Sequence, residues 1–318
     1  MMQTWLMTFL FRLMIPLMLL TSCSKELEVV DDEEPLTPFV SPYQPGLRKT
    51  LRVLAFGNSF TRNALGYVPF LLEGINPDYN IHLQMACLGG GSLRDHLAVM
   101  RHCKGYETDL YEAESDRWTK LYSRSDSLLM QKWNLILFNQ VSTEAADMDS
   151  YKVFSGLLSY VTKYQSDSCR VGWLLTHSLP KKSHEKAFLG QCACVKRLCE
   201  QNMVSVVIPS GTALENARWT HLDKVAVGSH LTWSDNWHLQ EGIPCLVESY
   251  AAASAILHWA GISEVHLPLF LVDRDFLIEK CIPCDHPQPT PCRKRDVEMA
   301  IRCAEAAVES PLKVIHVQ

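Results

Sequence analysis

Short apolar runs alternate with amphipathic stretches along the chain from about Leu51 onward. The apolar runs predict buried strands, and the stretches with apolar positions at helical spacing predict helices. The predicted strands are Leu51–Phe56, Ile81–Cys87, Trp133–Val141, Arg170–Thr176 and Val204–Pro209. The predicted helices are Ala64–Ile75, Leu93–Met100, Tyr151–Tyr164, Ser183–Gln201, Glu241–Trp259 and Arg295–Glu309. This order predicts an α/β fold, a three-layer α/β/α sandwich around a central parallel sheet of about five strands.

Two segments of the predicted domain, which spans residues 51–318, do not follow this pattern. Residues 104–131 are polar and charged with no clear period, and we interpret them as an insertion packed near the functional site. Residues after about 262 form a predicted C-terminal extension, which contains the last helix.

The first 22 residues are different again, because Leu6–Leu20 is almost wholly apolar. The run is too short and too interrupted for a convincing transmembrane helix, and it lies where a secretory signal would. The Thr21-Ser22-Cys23 sequence that follows resembles the lipobox of bacterial lipoproteins. That resemblance implies cleavage before Cys23 and lipid attachment to it. An ordinary secretion signal and an uncleaved anchor are the alternatives.

Residues 23–50 are acidic at first and then rich in proline, with little apolar periodicity. Such a composition predicts a flexible tether between a lipid anchor and a folded domain. We therefore expect an exported protein held to the bacterial envelope, at the outer membrane.

The composition mainly serves to exclude one class of partner. The chain of 318 residues has 47% hydrophobic and 20% charged residues and a formal net charge of −5. No basic stripe with interleaved aromatic residues is visible in the sequence, so a nucleic-acid partner is not expected.

One cysteine spacing is compatible with a metal site. Cys281-x-x-Cys284, Cys292 and His286 could supply four zinc ligands, but four prolines make this segment an extended loop. Disulfides or plain thiols fit an exported protein better, and no metal or other cofactor is predicted. The cysteines of the Ser183–Gln201 helix are interpreted as packing residues.

The candidate chemistry lies at the carboxyl ends of the predicted strands, where parallel α/β sheets bind ligands. Ser59 follows the first strand, after Gly57, which would permit a sharp turn. A serine there could be a nucleophile near a helix N-terminus, or simply a helix cap. After the second strand, Gly90 and Gly91 could bring a backbone N–H to an oxyanion, or only form a tight turn.

Two further strand ends or loops carry polar side chains. Asn139 and Gln140 end the third strand, and either amide could donate to an oxyanion or cap a neighbouring element. Asp235-x-x-His238 lies directly before a predicted helix. This spacing lets the carboxylate reach Nδ1 of the histidine while Nε2 faces outward. The alternatives are a helix cap for Asp235 and a surface role for His238.

In this order the motifs resemble those of the SGNH (GDSL-like) hydrolase family. Leu54–Thr61 resembles block I, with Gly-Asn-Ser in place of Gly-Asp-Ser, Gly89–Leu93 resembles block II, and Ser234–Leu239 resembles block V. Together with Pro209–Ala213, these motifs resemble an uncharacterised subgroup of envelope proteins, and the likeness runs from about Leu51 to Ala260. The resemblance implies the flavodoxin-like fold of that family and a catalytic triad of Ser59, Asp235 and His238.

Block III departs from the family pattern. Gln140 falls where the oxyanion asparagine belongs, and Asn139 is the alternative donor. Trp237 stands inside the Asp-x-x-His loop, where it could narrow the mouth of the site or stack on a sugar. Trp219 and Trp233 could be further sugar platforms or core aromatics. His96, His177, His221 and His230 are interpreted as structural or rim residues.

The resemblance implies a serine esterase that forms an acyl-enzyme intermediate, and a tethered envelope enzyme would meet small esters or O-acetylated carbohydrate. The alternative is a non-catalytic glycan-binding lipoprotein on the same scaffold, suggested by the altered block III. A purely structural envelope protein is the third interpretation, and it predicts that Ser59, Asp235 and His238 lie far apart.

Overall fold

The computed structural model describes Leu36 and residues 49–179, 184–223, 231–281 and 289–318. The predicted signal, the lipidation residue Cys23 and nearly all of the predicted tether lie outside the described residues. So do His230, Cys284 and His286.

A mostly parallel sheet forms the centre of the described residues. Its strands follow the order β4-β3-β2-β1-β5-β6-β7, and β2, β1, β5, β6 and β7 are parallel. The strands are β1 (Lys49–Gly57), β2 (Tyr79–Cys87), β3 (Gly105–Glu112), β4 (Arg117–Arg124), β5 (Leu135–Phe138), β6 (Arg170–Leu174) and β7 (Val206–Ile208).

Helices cover both faces of the sheet. They are α1 (Ser59–Leu65), α2 (Val68–Ile75), α3 (Leu93–Arg101), α4 (Ser125–Met130), α5 (Phe154–Tyr164), α6 (His184–Glu200), α7 (Ser210–Ala217), α8 (Ile243–Trp259), α9 (Arg274–Lys280) and α10 (Lys294–Glu309). Short 3₁₀ helices span Met148–Val153 and His221–Asp223.

Each face of the sheet has its own hydrophobic core, because side chains alternate along a strand. Val53 and Ala55 of β1 face a core that also contains buried residues of α1, α2, α7, α8, α9 and α10. Leu54 and Phe56 face the core under α3, α4, α5 and α6. The predicted three-layer α/β/α class is therefore confirmed.

The predicted strand number was too low. The five parallel strands are present, but the segment interpreted as an insertion adds β3 and β4 as two antiparallel strands at one edge. Most residues of β4 are exposed, so its sequence RWTKLYSR carries little of the alternation that marks a half-buried strand. Alternation alone could not identify an edge strand of this composition.

Some helix boundaries also differ from the prediction. The single predicted helix Ala64–Ile75 is two helices, which begin at Ser59 and Val68. Pro69 lies at the start of α2, where its missing N–H is tolerated. Helices α4, α7 and α9 were not predicted, and β1 begins two residues before the predicted domain start. None of the described helices is long and apolar enough to cross a bilayer.

Candidate active site

Ser59 is the first residue of α1, and only Asn58 separates it from Gly57 at the carboxyl end of β1. The capping function belongs to its neighbour, since the Asn58 side chain accepts the N–H of Phe60 at 3.1 Å. Thr61 completes a capping box by accepting the N–H of Asn58 at 3.2 Å. The Ser59 hydroxyl is therefore not used as the helix cap, and it lies at the positive end of α1.

Gly57 is needed for close approach rather than for an unusual backbone angle. A Cβ at this position would lie 2.0 Å from both Asn139 Oδ1 and Thr61 Oγ1. Those two atoms are hydrogen-bonded to each other at 3.1 Å. The glycine thus lets the end of β5 and the first turn of α1 meet directly behind Ser59.

The structure brings Ser59, Asp235 and His238 together in one hydrogen-bonded chain. His238 Nε2 lies 2.8 Å from Ser59 Oγ, and His238 Nδ1 lies 2.6 Å from Asp235 Oδ2. Because a carboxylate only accepts, neutral His238 carries its proton on Nδ1, and its Nε2 accepts the Ser59 hydroxyl. This arrangement suits a serine that loses its proton to a histidine as it attacks.

The Asp235 carboxylate is fixed by its own loop. Its Oδ1 accepts the N–H groups of Trp237 at 2.8 Å and His238 at 3.1 Å. Partial burial by itself would raise the pKa of Asp235, but these N–H donors and the His238 ring outweigh it, so the pKa is lowered. The carboxyl is therefore ionised at neutral pH, as an orienting partner of the histidine must be.

A cavity of about 210 Å³ opens beside the Ser59 hydroxyl. It is lined by Asn58, Ser59, Phe60, Gly90, Val141, Ser142, Trp237 and His238. Gly90 has a positive φ of 62°, a conformation that glycine adopts at little cost, and it turns the chain toward the cavity. The N–H of Gly91 instead donates to the Leu88 carbonyl at 3.0 Å, so Gly91 is not placed as an oxyanion donor.

Gln140 is also not placed as an oxyanion donor, contrary to the sequence prediction. Its side chain is fully buried, and Nε2 donates to Ser150 Oγ at 2.9 Å and to Glu144 Oε2 at 3.5 Å. Its Oε1 accepts the N–H groups of Leu93 at 3.0 Å and Val141 at 2.9 Å. The longer side chain reaches past the cavity and ties α3 to the loop after β5.

Asn139 has a similar structural role. Its Oδ1 accepts Thr61 Oγ1, and its Nδ2 donates to Asn58 Oδ1 at 3.4 Å. The amide therefore supports the cap of α1 and does not line the cavity. The two amides follow one another at the same strand end, and both stabilise the loops around Ser59.

Ser142 is a cavity residue to which the sequence reasoning gave no role. It lies two residues after Gln140 and brings a hydroxyl to the cavity that the amides do not enter. Ser142 lies shortly after β5, at the carboxyl edge of the parallel sheet. Ligands bind at this edge, and the same rule points to Ser59. That rule could have identified it in the sequence.

Of the three tryptophans considered as sugar platforms, Trp237 lines the cavity, and 40% of its surface is exposed. Trp219 stacks on His316 at a centroid distance of 4.2 Å. Trp219 and Trp233 are not among the residues that line the Ser59 cavity. The predicted insertion is close to α1 through the 2.6 Å ion pair of Asp109 with Arg62, but it does not line the cavity either.

His96 and His177, two of the histidines interpreted as structural, lie immediately behind the site. His96 Nε2 lies 3.0 Å from the Gly57 carbonyl oxygen, and burial lowers the pKa of His96 to about 4. Within the described ranges, no group of three or more His, Cys, Asp or Glu side chains is arranged to hold a metal ion. Cys192 and Cys194 are buried thiols of α6, as expected for packing residues.

Comparison with protein-family models gives no match, and neither does comparison with curated proteins. Among solved structures, the chain is similar to a DUF4886 family protein from Bacteroides uniformis. The TM-score is 0.65 and the identity 22%, over 85% of this chain and 98% of that chain. A variant of an acetyl xylan esterase from Geobacillus stearothermophilus gives a TM-score of 0.43 and 15% identity, over 68% and 97% of the two chains. The first similarity shows a shared fold.

Proposed function

We propose that this protein is a serine esterase that removes small acyl groups, above all O-acetyl groups of carbohydrate, through an acyl-enzyme intermediate. The observation that carries the proposal is the hydrogen-bonded chain from Ser59 through His238 to Asp235, with distances of 2.8 and 2.6 Å. Nucleophile, base and orienting carboxylate are each within the range that such chemistry requires.

The reaction follows from this geometry. His238 Nε2 takes the hydroxyl proton as Ser59 Oγ bonds to the ester carbonyl carbon. The tetrahedral intermediate collapses, and the same proton passes to the departing alcohol oxygen. Water then attacks the acyl-enzyme with His238 again as base, and the acid leaves with Ser59 restored. Asp235 orients the ring and stabilises the imidazolium formed in each half-reaction.

The oxyanion would be held by a donor set different from the one expected from the family pattern. The N–H of Ser59 at the start of α1, the N–H of Gly90 and the hydroxyl of Ser142 belong to residues that line the cavity. Pre-arranged donors in a small cavity stabilise developing negative charge more strongly than they would in water. Ser142 then supplies the side-chain donor that Gln140 and Asn139 do not.

The size of the cavity supports a small acyl group. Pockets for drug-sized ligands are about 300–1,000 Å³, whereas this one is about 210 Å³. The exposed face of Trp237 at its mouth offers an apolar surface on which a sugar ring can stack. We propose an acetylated carbohydrate as the substrate and lipid attachment at Cys23 as the link to the bacterial envelope.

Hydrolysis of p-nitrophenyl acetate by the wild-type protein and by Ser59→Ala tests the proposal. The variant should lose activity by about 10⁴–10⁶-fold, as removal of a serine nucleophile does elsewhere, and keep its thermal unfolding midpoint. Ser155→Ala, at an exposed position of α5, is the matched control and should keep full activity. Equal rates for the wild type and Ser59→Ala would contradict the proposal.

The second candidate function is glycan binding without turnover. It is favoured by one observation, namely that neither Asn139 nor Gln140 directs its amide into the cavity. It predicts that acetylated oligosaccharides bind equally to the wild type and to Ser59→Ala, and that neither protein releases acetate. Acetate release by the wild type alone would exclude it.

A further inference from the structure

A second histidine–carboxylate pair lies buried directly behind the loop that carries Asp235 and His238. His177 follows β6 and Glu248 lies in α8, and neither side chain is exposed to solvent. His177 Nδ1 lies 2.8 Å from Glu248 Oε1, and His177 Nε2 lies 3.0 Å from the carbonyl oxygen of Trp237. Trp237 is the residue immediately before His238, so the pair contacts the backbone next to the base.

The hydrogen-bond partners fix how many protons this pair holds. A backbone carbonyl only accepts, so His177 Nε2 must carry a proton toward Trp237. The contact between Nδ1 and Glu248 needs a second proton, on either the ring or the carboxyl. The net charge of the pair is therefore zero, because a charge on one partner is balanced by the other. An uncompensated charge in this buried position would be costly. In either form, His177 Nε2–H donates to the Trp237 carbonyl of the loop.

The same histidine is also in contact with the nucleophile side of the site. Phe60 follows Ser59, and its ring stacks on His177 at a centroid distance of 4.1 Å and an interplanar angle of 21°. The same phenyl ring lies nearly perpendicular to the His238 ring, with centroids 6.1 Å apart and an interplanar angle of 84°. His177 thus packs against the start of α1 while it hydrogen-bonds the loop that carries the base.

Among the described residues, side chains of other elements also hydrogen-bond the loop just after His238. The N–H of Leu239 donates to Asn63 Oδ1 at 3.3 Å, and Gln240 accepts from Thr290 at 3.2 Å. The side chains of Asp235 and His238 are themselves 43% and 44% exposed, so packing does little to fix them. The bond to the Trp237 carbonyl adds a connection whose donor, the His177 side chain, is not exposed to solvent.

We propose that His177 and Glu248 form a positioning pair, which holds the Trp237 carbonyl so that His238 keeps its Nε2 on Ser59. This inference rests on the proposed esterase function, because it assigns a role in that reaction. It predicts that loss of the bond to Trp237 lowers the rate of the chemical step and disturbs the orientation of His238, while substrate binding is little changed.

Two substitutions at one position separate this role from simple packing. The amide of His177→Gln reaches about as far as Nε2 of histidine and can donate to the Trp237 carbonyl. The amide of His177→Asn reaches about as far as Nδ1, so it can keep the contact with Glu248 but not the one with Trp237. His221→Asn is the matched control, since His221 also bonds a carboxylate, Asp296 at 2.8 Å, but does not line the cavity.

We expect His177→Asn to lower kcat for p-nitrophenyl acetate by about 10²-fold, the cost of misplacing a reacting group by about 1 Å, with KM within about threefold. His177→Gln should lose less than about tenfold. The ¹⁵N resonances of the His238 ring give its tautomer independently of activity. In the wild type the ring should be protonated on Nδ1, and in His177→Asn it should be a mixture of both tautomers.

Equal kcat and an equal His238 tautomer in His177→Asn and His221→Asn would overturn the positioning role, whatever their thermal midpoints. If the wild type hydrolyses no ester, the proposed function fails. The His238 tautomer still shows whether His177 and Glu248 position the loop. A shifted tautomer in His177→Asn then supports positioning, and an unchanged one overturns it.

If His177→Asn does not fold, the same two measurements, kcat and the His238 tautomer, are made on His177→Gln and Glu248→Gln. A kcat within about tenfold of the wild type and an unchanged His238 tautomer in both variants support the pair, because each retains a donor toward Trp237. A shifted tautomer in either variant overturns it.

Discussion

The turn that carries the proposed nucleophile Ser59 (the nucleophile turn) and the loop that carries Asp235 and His238 (the acid–base loop) meet at one hydrogen bond, but they are stabilised differently. Ser59 lies on a short turn between β1 and α1 that is surrounded by buried side chains, among them Asn58 and Asn139. Asp235 and His238 lie on an irregular loop with both side chains more than two-fifths exposed. Buried side chains such as Asn139 hold the turn, whereas the loop is held by its own hydrogen bonds to Asp235 and by contacts such as the one from His177.

Because the turn is buried and the loop is exposed, the two should respond differently to substitution. Changes at the exposed loop residues should remove activity and leave stability almost unchanged, because little packing is lost. Substitutions that add atoms at Gly57 of the nucleophile turn should lower both, because a Cβ there meets the buried Asn139 and Thr61 side chains.

The largest effect is expected at the loop. Asp235→Asn leaves the shape of the loop but allows the wrong His238 tautomer, so kcat should fall by about 10⁴-fold. The thermal midpoint should change by about 2 °C or less, because the side chain is largely exposed. Ester hydrolysis and thermal unfolding on the same preparations give both numbers. A large fall in the midpoint would mean that the loop is as tightly held as the turn.

A smaller loss is expected at the cavity. Ser142→Ala removes the proposed side-chain donor to the oxyanion, and kcat should fall by about 10²-fold with KM nearly unchanged. Gln140→Glu is the useful comparison, since its carboxylate can still accept the N–H groups of Leu93 and Val141. It should mainly lower the thermal midpoint. If Gln140→Glu loses more kcat than Ser142→Ala, the oxyanion donor is Gln140 after all.

The nucleophile turn should respond to the smallest possible addition. Gly57→Ala places a Cβ against Asn139 and Thr61, and the overpacking should cost about 1–3 kcal/mol of unfolding free energy. Gly89→Ala is the control, because a Cβ there has no heavy atom within 4 Å. Chemical denaturation should separate the two variants, and equal stabilities would show that the turn is less tightly packed than the contacts indicate.

The smallest effect concerns pH. His96 supports the Gly57 carbonyl, and burial lowers its pKa from 6.5 to about 4. Between these values the unfolded chain binds a proton that the folded protein does not, so stability falls as pH decreases from 6.5 to 4. His96→Gln should reduce that slope by at most about 1.4 kcal/mol per pH unit. Exposed His102→Gln should leave the slope as it is, and an equal change in both would contradict the assignment.

The sequence and the structure agree where a residue's environment is set locally. The buried runs of β1 and β5 are continuous apolar stretches, and the strand-end rule pointed to Ser59 and Gly90. The edge strand β4 is too polar to carry an alternation. The side-chain orientations of Asn139 and Gln140 depend on hydrogen bonds to Thr61 and Ser150. The spacing of residues along the sequence does not reveal these partners.

The pair behind the loop shows the same limit. Glu248 is 71 residues from His177 along the chain, and their contact is set by how α8 packs on the sheet. The predicted catalytic roles of Ser59, Asp235 and His238 stay predictions, although the structure places these three side chains in hydrogen-bond contact.

The central claim is that His238 and Asp235 activate Ser59 as a nucleophile. Reaction with a fluorophosphonate, followed by mass spectrometry of the intact protein and its peptides, tests it most directly. The account predicts one adduct per wild-type chain, located on Ser59, much slower labelling of Asp235→Asn, and none on Ser59→Ala. An unlabelled wild-type protein, or an adduct that persists in Ser59→Ala, would contradict it.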